Sequence, residues 1–318
     1  MDAVDELLSI RAAELYYEEN LTQDEIGRAL RITRWKVGRL LTQARDEGFI
    51  RIEIRHSRAR RVALERRLRH ERGLLDAVVV SRAGVESEDE LQRRVAQAAA
   101  DYLTDLRPVP RLLGVSWGRT LSQVAAQLRE GWSAGTSVVQ LNGGASVNDR
   151  GAAAATAVGI AHKGGGQATL LPIPAILERR ETKEAIEADR VVASVLRQAA
   201  DADAYLFSAG AADARSVHVA SGYLDDADIA RLTRRGAVGD VVGRYVDADG
   251  DIVDPDLDAR TVGYPLDALR GAPVTIAVTA GTAKHAVTRA MVASGLCKIL
   301  ITDESTALHL LGGGPDGE

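Results

Sequence analysis

The chain has 318 residues, 46% of them hydrophobic and 27% charged, with a single cysteine and a formal charge of −5. That length suggests about two domains. The composition excludes a disordered or collagen-like chain, and one cysteine excludes an intrachain disulfide framework or a cysteine-based zinc site.

The acidic start, Met1-Asp2-Ala3-Val4-Asp5-Glu6, lacks the basic and apolar regions of a secretory signal. No apolar run approaches the roughly 18 residues of a membrane span. A cytoplasmic protein with no membrane partner is therefore expected. A net negative chain argues against nucleic acid, yet the charge is uneven. Arg28–Arg72 holds 15 basic against 5 acidic side chains, a net +10, while residues 73–318 carry −8. A basic block on an acidic body has two readings at this point, an anionic partner or a solvated helical face.

Val4–Glu19 has apolar residues at helical spacing, and Asn20 ends that helix. Thr22 with Glu25 forms a capping box that opens a helix over Gln23–Leu30, burying Ile26 and Leu30. Thr33 caps a third helix running to about Glu47, which buries Val37, Leu40, Leu41 and Ala44 and stops at Gly48. The alternation Ile50, Ile52, Ile54 predicts a short strand, a candidate wing. Two short helices joined by a tight turn form a DNA-binding unit whose second helix enters the major groove by its N-terminal residues. Those residues are Thr33, Arg34, Trp35 and Lys36, with Arg39 one turn on. Arginine reads guanine bidentately, and Thr22, Gln23 and Thr33 suit phosphates. Trp35 is either a half-buried packing residue or an apolar contact to a base methyl.

The run from Leu21-Thr22-Gln23-Asp24-Glu25-Ile26-Gly27-Arg28-Ala29-Leu30 through Leu40-Leu41-Thr42-Gln43-Ala44-Arg45-Asp46-Glu47-Gly48 resembles the N-terminal domain of the SorC/DeoR family of sugar-responsive bacterial transcriptional regulators. Arg31 stands where that family usually has a turn glycine, Gly27 replaces an alanine, and Gly38 replaces a serine. The resemblance implies double-stranded operator DNA as a partner, and a homodimer or homotetramer. Domain boundaries are expected at 1–56 for the (winged) helix-turn-helix, 57–72 for a basic linker helix with modest nonspecific DNA affinity, and 73–318 for the body.

In the body, short Val/Leu/Ile runs alternate with Ala-rich helical segments. Strands are predicted at Asp76–Val80, Arg111–Val115, Ser137–Leu141, Ala168–Leu171, Ala204–Ser208, Val274–Val278 and Lys298–Ile301. Helices are predicted at Glu88–Leu106, Thr120–Leu128, Ala152–His162 and Arg180–Ala200. This order implies a Rossmann-like, doubly wound α/β sheet, mostly parallel, with helices on both faces. Ligands there bind beyond the carboxyl ends of the strands.

Four loops are candidates. In Gly114-Val115-Ser116-Trp117-Gly118-Arg119-Thr120, Gly118 permits close backbone approach, and Arg119 and Thr120 open a helix whose N-terminus suits an anion. The stretch resembles the SorC-family effector-domain signature, which implies a fold similar to ribose-5-phosphate isomerase and glucosamine-phosphate deaminase, with Ser116 in the site. In Asn142-Gly143-Gly144-Ala145-Ser146, consecutive glycines offer an anion nest, where the resemblance puts an effector phosphate. Asn142 would bond a sugar hydroxyl; one branch of the family has a Schiff-base lysine at this position, so noncovalent binding is expected. In Gly281-Thr282-Ala283-Lys284, the lysine suits a phosphate, or is an ordinary exposed lysine. Asp240 either accepts from sugar hydroxyls or caps a helix.

Cys297 reads as buried filler, and the histidines have no metal-ligand spacing, so neither a cofactor nor a metal is expected. The favoured function is a DNA-binding regulator controlled allosterically by a sugar phosphate. The alternative is a sugar-phosphate isomerase or deaminase with an appended DNA-binding module. Isomerisation needs an acid/base pair, and none is evident.

Overall fold

The computed structural model describes residues 3–50, 60–144 and 151–312. The chain divides into two compact units, Met1–Ser57 and Arg58–Glu318.

In the first unit, α1 (Ala3–Tyr17), α2 (Gln23–Leu30) and α3 (Arg34–Asp46) enclose a core of Ala12, Leu15, Ile26, Val37, Leu40, Leu41 and Ala44. The capping box is present. Thr22 Oγ1 accepts the Glu25 amide and the Glu25 carboxylate accepts the Thr22 amide. That bonding to Thr22, first through its hydroxyl and then its amide, holds the Glu25 carboxyl below its ordinary pKa. Thr33 Oγ1 accepts the Lys36 amide at 3.2 Å. α1 stops two residues short of expectation, and Asn20 takes a left-handed φ of 55°. In the turn between α2 and α3, Arg31 carries φ 56° without a glycine, at a cost of roughly 1–2 kcal/mol. A Cβ on Gly27 would sit 2.9 Å from the Ile32 carbonyl oxygen, so it is Gly27 that lets this turn close. Ile52 and Ile54 of the expected wing lie outside the described residues.

In the second unit, seven strands form one parallel sheet: β1 (Asp76–Val80), β2 (Leu112–Val115), β3 (Ser137–Gln140), β4 (Ala168–Thr169), β5 (Ala204–Phe207), β9 (Thr275–Val278) and β10 (Ile299–Asp303). Their order is β1-β10-β9-β5-β2-β3-β4. Alternate residues face opposite sides. Val78, Val80, Leu113, Val115, Ile276 and Ile301 meet α5 (Glu88–Asp105), α6 (Arg119–Gln127) and α7 (Ala152–Lys163). Val79, Phe207, Ala277 and Leu300 face the other layer, which includes Val287, Met291 and Leu310.

Three departures from the sequence reading have local causes. The expected helix Arg180–Ala200 is two helices, Arg180–Ala188 and Arg190–Ala200. Asp189 between them is extended, and its carboxylate caps the second through the Val191 amide, the role aspartate favours. A second, antiparallel sheet was not foreseen: β6 (Ala209–Ala211), β7 (Gly239–Val241) and β8 (Arg244–Val246). The linker helix α4 (Val62–Arg72) buries Leu68 and Glu65 against the body, packing on β1 and on helix Glu304–Leu310. It is built into the second unit, which begins before the boundary expected at residue 73.

Candidate functional site

On the first unit, α3 presents Arg34, Trp35 and Arg39 to solvent. Trp35 is 87% exposed, so the packing reading is overturned. Arg34 extends with its guanidinium 3.8 Å from Asp24. These side chains, with Gln23, Gly38 and Thr42, line an open groove. Lys36 does not join them in the same way; its ammonium lies 3.4 Å from Asp5 on α1. Thr22 and Thr33 use their hydroxyls as helix caps. A Cβ on Gly38 would meet only Gln23 Oε1, at 3.6 Å, an ordinary contact. Gly38→Ala is therefore expected to stabilise this unit by up to about 1 kcal/mol through helix propensity, read in a urea unfolding curve; a loss of stability would mean that α3 has no room there.

On the second unit, the strand order reverses at β2. β3 and β4 lie on one side, β5 and β9 on the other, which makes the carboxyl ends here a topological switch point. Three loops converge. The Lys284 ammonium, after β9, donates to Thr120 Oγ1 after β2 at 3.1 Å and to Ser208 Oγ after β5 at 3.2 Å. Gly118 opens α6 with φ 135° and empty space where a side chain would stand. The first amides of a helix have no partner within it, and its dipole favours an anion there. Burial lowers the Lys284 pKa to about 8; Asp240 works against that shift and Arg119 with it. Arg119 reaches across to the Arg215 carbonyl at 3.2 Å.

Asp240 sits on β7, so it is not a helix cap. It is 6% exposed. Its Oδ2 accepts the Gly243 amide at 3.1 Å, while Oδ1 is buried with no hydrogen-bond partner among the described residues. Gly210 on β6, directly opposite, leaves the space that Oδ1 occupies. The β7–β8 turn places both Val242 and Gly243 at positive φ, 50° and 84°, a strained conformation for a β-branched valine.

The Asn142 side chain is buried and its Oδ1 accepts from Ser116 Oγ at 2.9 Å. Asn142 Nδ2 and His218 Nε2 each lie 3.7 Å from where a Gly243 Cβ would be. His218 Nδ1 is 3.3 Å from the Tyr245 hydroxyl, whose pKa burial pushes up.

The glycine pair is corrected in role. The Gly143 and Gly144 amides donate to the Val262 and Ile173 carbonyls, so they form no anion nest. A Cβ on Gly143 would strike the Pro174 carbonyl, and one on Gly144 would strike Ala153. These residues are glycine because the loops touch there. Trp117 locks this loop by donating to the Gly143 carbonyl at 2.8 Å. The Gly281 amide is likewise spent, on Asp303 Oδ2 at 2.9 Å. Ser146 lies outside the described residues. Cys297 is buried, its thiol pushed up to about 12 by burial.

Ser208 and His218 were missed. Ser208 ends a predicted strand and lies just past the observed one, but only the sheet order brings that strand beside β2. His218 carries no spacing signal at all.

Residues 57–312 match the family model described as "Putative sugar-binding domain". The chain is 29% identical over 317 residues to the deoxyribonucleoside regulator of Bacillus subtilis (strain 168), covering 98% of this chain and 99% of that one. This chain belongs to the SorC/DeoR family of transcriptional regulators. Among its SorC/DeoR relatives, the erythritol catabolism regulatory protein EryD of Brucella abortus (strain 2308) is 27% identical over 316 residues, 98% of each chain. The crystal structure of the full-length sorbitol operon regulator SorC from Klebsiella pneumoniae superposes with a TM-score of 0.73 at 26% identity, covering 98% of this chain and 99% of that one. These relatives are regulators by name, and the chain is a transcriptional regulator. Among the described residues no helix is long and apolar enough to cross a membrane.

Proposed function

We propose that this regulator binds double-stranded operator DNA through α2 and α3, as a homodimer or homotetramer, and that a phosphorylated sugar or polyol bound noncovalently in the second unit controls that binding allosterically. The observation that carries the ligand reading is Lys284. Its ammonium joins the carboxyl ends of β2, β5 and β9 beside the open N-terminus of α6, which supports a phosphate. Asp240, with one buried oxygen lacking a partner among the described residues, and Asn142 offer the hydrogen bonds that a sugar hydroxyl requires. Asn142 carries no amine, which supports noncovalent binding there.

A thermal-shift screen of phosphorylated pentoses, hexoses and polyols against their free parents tests this. A ligand that binds only the folded state stabilises by RT ln(1 + [L]/Kd). At least one phosphorylated compound is expected to raise Tm well beyond its parent. Stabilisation by free sugars alone would remove the phosphate from the reading.

A further inference from the structure

We propose that Arg60 and Arg61, where the chain enters the second unit, form a latch whose hold is set by the Lys284 turn through Asp303 and Glu304. This rests on the reading that the pocket takes a phosphate. Residues 1–57 are joined covalently to the second unit through this segment. Arg60 makes an antiparallel bridge with Val80, and the Arg61 amide donates to the Val79 carbonyl at 2.8 Å. The segment thus adds itself to the outer edge of β1, the first strand of the sheet order.

Two carboxylates hold the two guanidinium groups. Arg60 binds Glu65 bidentately at 2.8 and 2.9 Å. Glu65 is buried and also accepts the Val79 amide, which makes it the fixed half of the latch. Arg61 Nε lies 2.7 Å from Glu304 Oε1. Glu304 Oε2 accepts the Arg82 amide at 3.1 Å and the Ser81 hydroxyl at 3.3 Å.

Glu304 follows Asp303, which is fully buried. Burial pushes the Asp303 pKa up, but hydrogen bonds from Ser305, Thr306 and Gly281 outweigh it and hold the group ionised below its ordinary range. Gly281 opens the turn Thr282–Lys284, and the Lys284 amide returns to the Gly281 carbonyl at 3.1 Å. A ligand that draws on Lys284 therefore pulls on a turn anchored to Asp303, and the next residue holds Arg61. The Arg61–Glu304 pair is partly exposed, and such pairs contribute little on their own. A small displacement suffices to release it, which suits a switch better than a brace.

The test is hydrogen exchange by mass spectrometry on the full-length protein, with inorganic phosphate as probe, in wild type, Lys284→Gln, Glu304→Gln and Arg61→Gln. In wild type, phosphate is expected to protect 279–284 and to change exchange across 60–72 at least threefold. In Glu304→Gln and Arg61→Gln, protection at 279–284 persists and the response of 60–72 disappears. A merely structural ion pair would instead raise exchange in 60–72 equally with and without phosphate. Lys284→Gln alone is expected to change exchange across 60–72 without any ligand. Protection at 279–284 with 60–72 unmoved in wild type overturns the latch, as does a full response retained in Glu304→Gln. If phosphate protects neither segment, the pocket reading falls, and unchanged exchange across 60–72 in Lys284→Gln then overturns the latch as well.

Discussion

Lys284→Gln is expected to weaken binding of a phosphorylated ligand by about 100-fold and to leave its unphosphorylated parent nearly untouched. Glutamine keeps a polar end, one bond shorter than the lysine that bonds the Thr120 and Ser208 hydroxyls, but removes the charge. A hydrogen bond to a charged group contributes about 1.5–3 kcal/mol net, and each 1.4 kcal/mol is tenfold in affinity. Isothermal titration with the matched pair of ligands measures both values. Equal losses for the two would assign Lys284 to structure instead of to the phosphate.

The same lysine fixes a pH dependence. Its pKa of about 8 in the folded chain lies below the ordinary lysine value because of burial. A phosphate ester is a dianion above about pH 6. Affinity should therefore be greatest between about pH 6 and 8, then fall toward tenfold per unit above about 8 as the ammonium loses its proton. The Gln variant should show no such fall. Without ligand the sign reverses. Between about pH 8 and 10 the unfolded chain holds the proton that the folded chain has released, so stability rises with pH across that window. Opposite slopes for ligand affinity and ligand-free stability, in one pH range, are difficult to produce by any route other than this lysine.

The helix-turn-helix was legible because its signals are local. Thr22 with Glu25, Thr33, and Gly48 each act within four residues of where they stand, and they marked α2 to the residue and the end of α3 to within one. The parallel strands were legible as apolar runs, because strands buried on both faces leave little else. What failed depended on distance along the chain. β6, Ala209-Gly210-Ala211, is three small residues with no alternation to read, so the second sheet was invisible and Asp240 lost its strand. The Gly143-Gly144 pair looked like an anion nest until residues 173 and 262 supplied its acceptors, over a separation no local pattern reports. Lys284 and Thr120 were found through their own loops. Ser208 was not, since its meeting with them is a consequence of β5 pairing with β2. Asp189 was lost for the opposite reason: a strong local cap sat inside an otherwise helical run and was outweighed by its neighbours.

Arg34→Ala is expected to cost between about 5-fold and 150-fold in affinity for an operator obtained by selection from random duplexes. That range corresponds to the roughly 1–3 kcal/mol carried by a bidentate base contact. The preference at one base pair should relax, and ligand-induced thermal stabilisation, which belongs to the second unit, should persist. Fluorescence anisotropy on matched and mismatched duplexes reads the first two. Lys36 provides the contrast within the same turn of helix. Its charge is already engaged by Asp5, so Lys36→Ala should change operator preference little. The salt dependence separates base reading from phosphate contact. Removing a phosphate contact weakens all sequences alike and lowers the slope of log affinity against log salt by about one. Removing a base contact leaves the slope in place and erases discrimination. If Arg34→Ala weakens every duplex equally and flattens the slope, Arg34 holds the backbone. Base reading would then fall to Trp35 and Arg39, which α3 also exposes on this face.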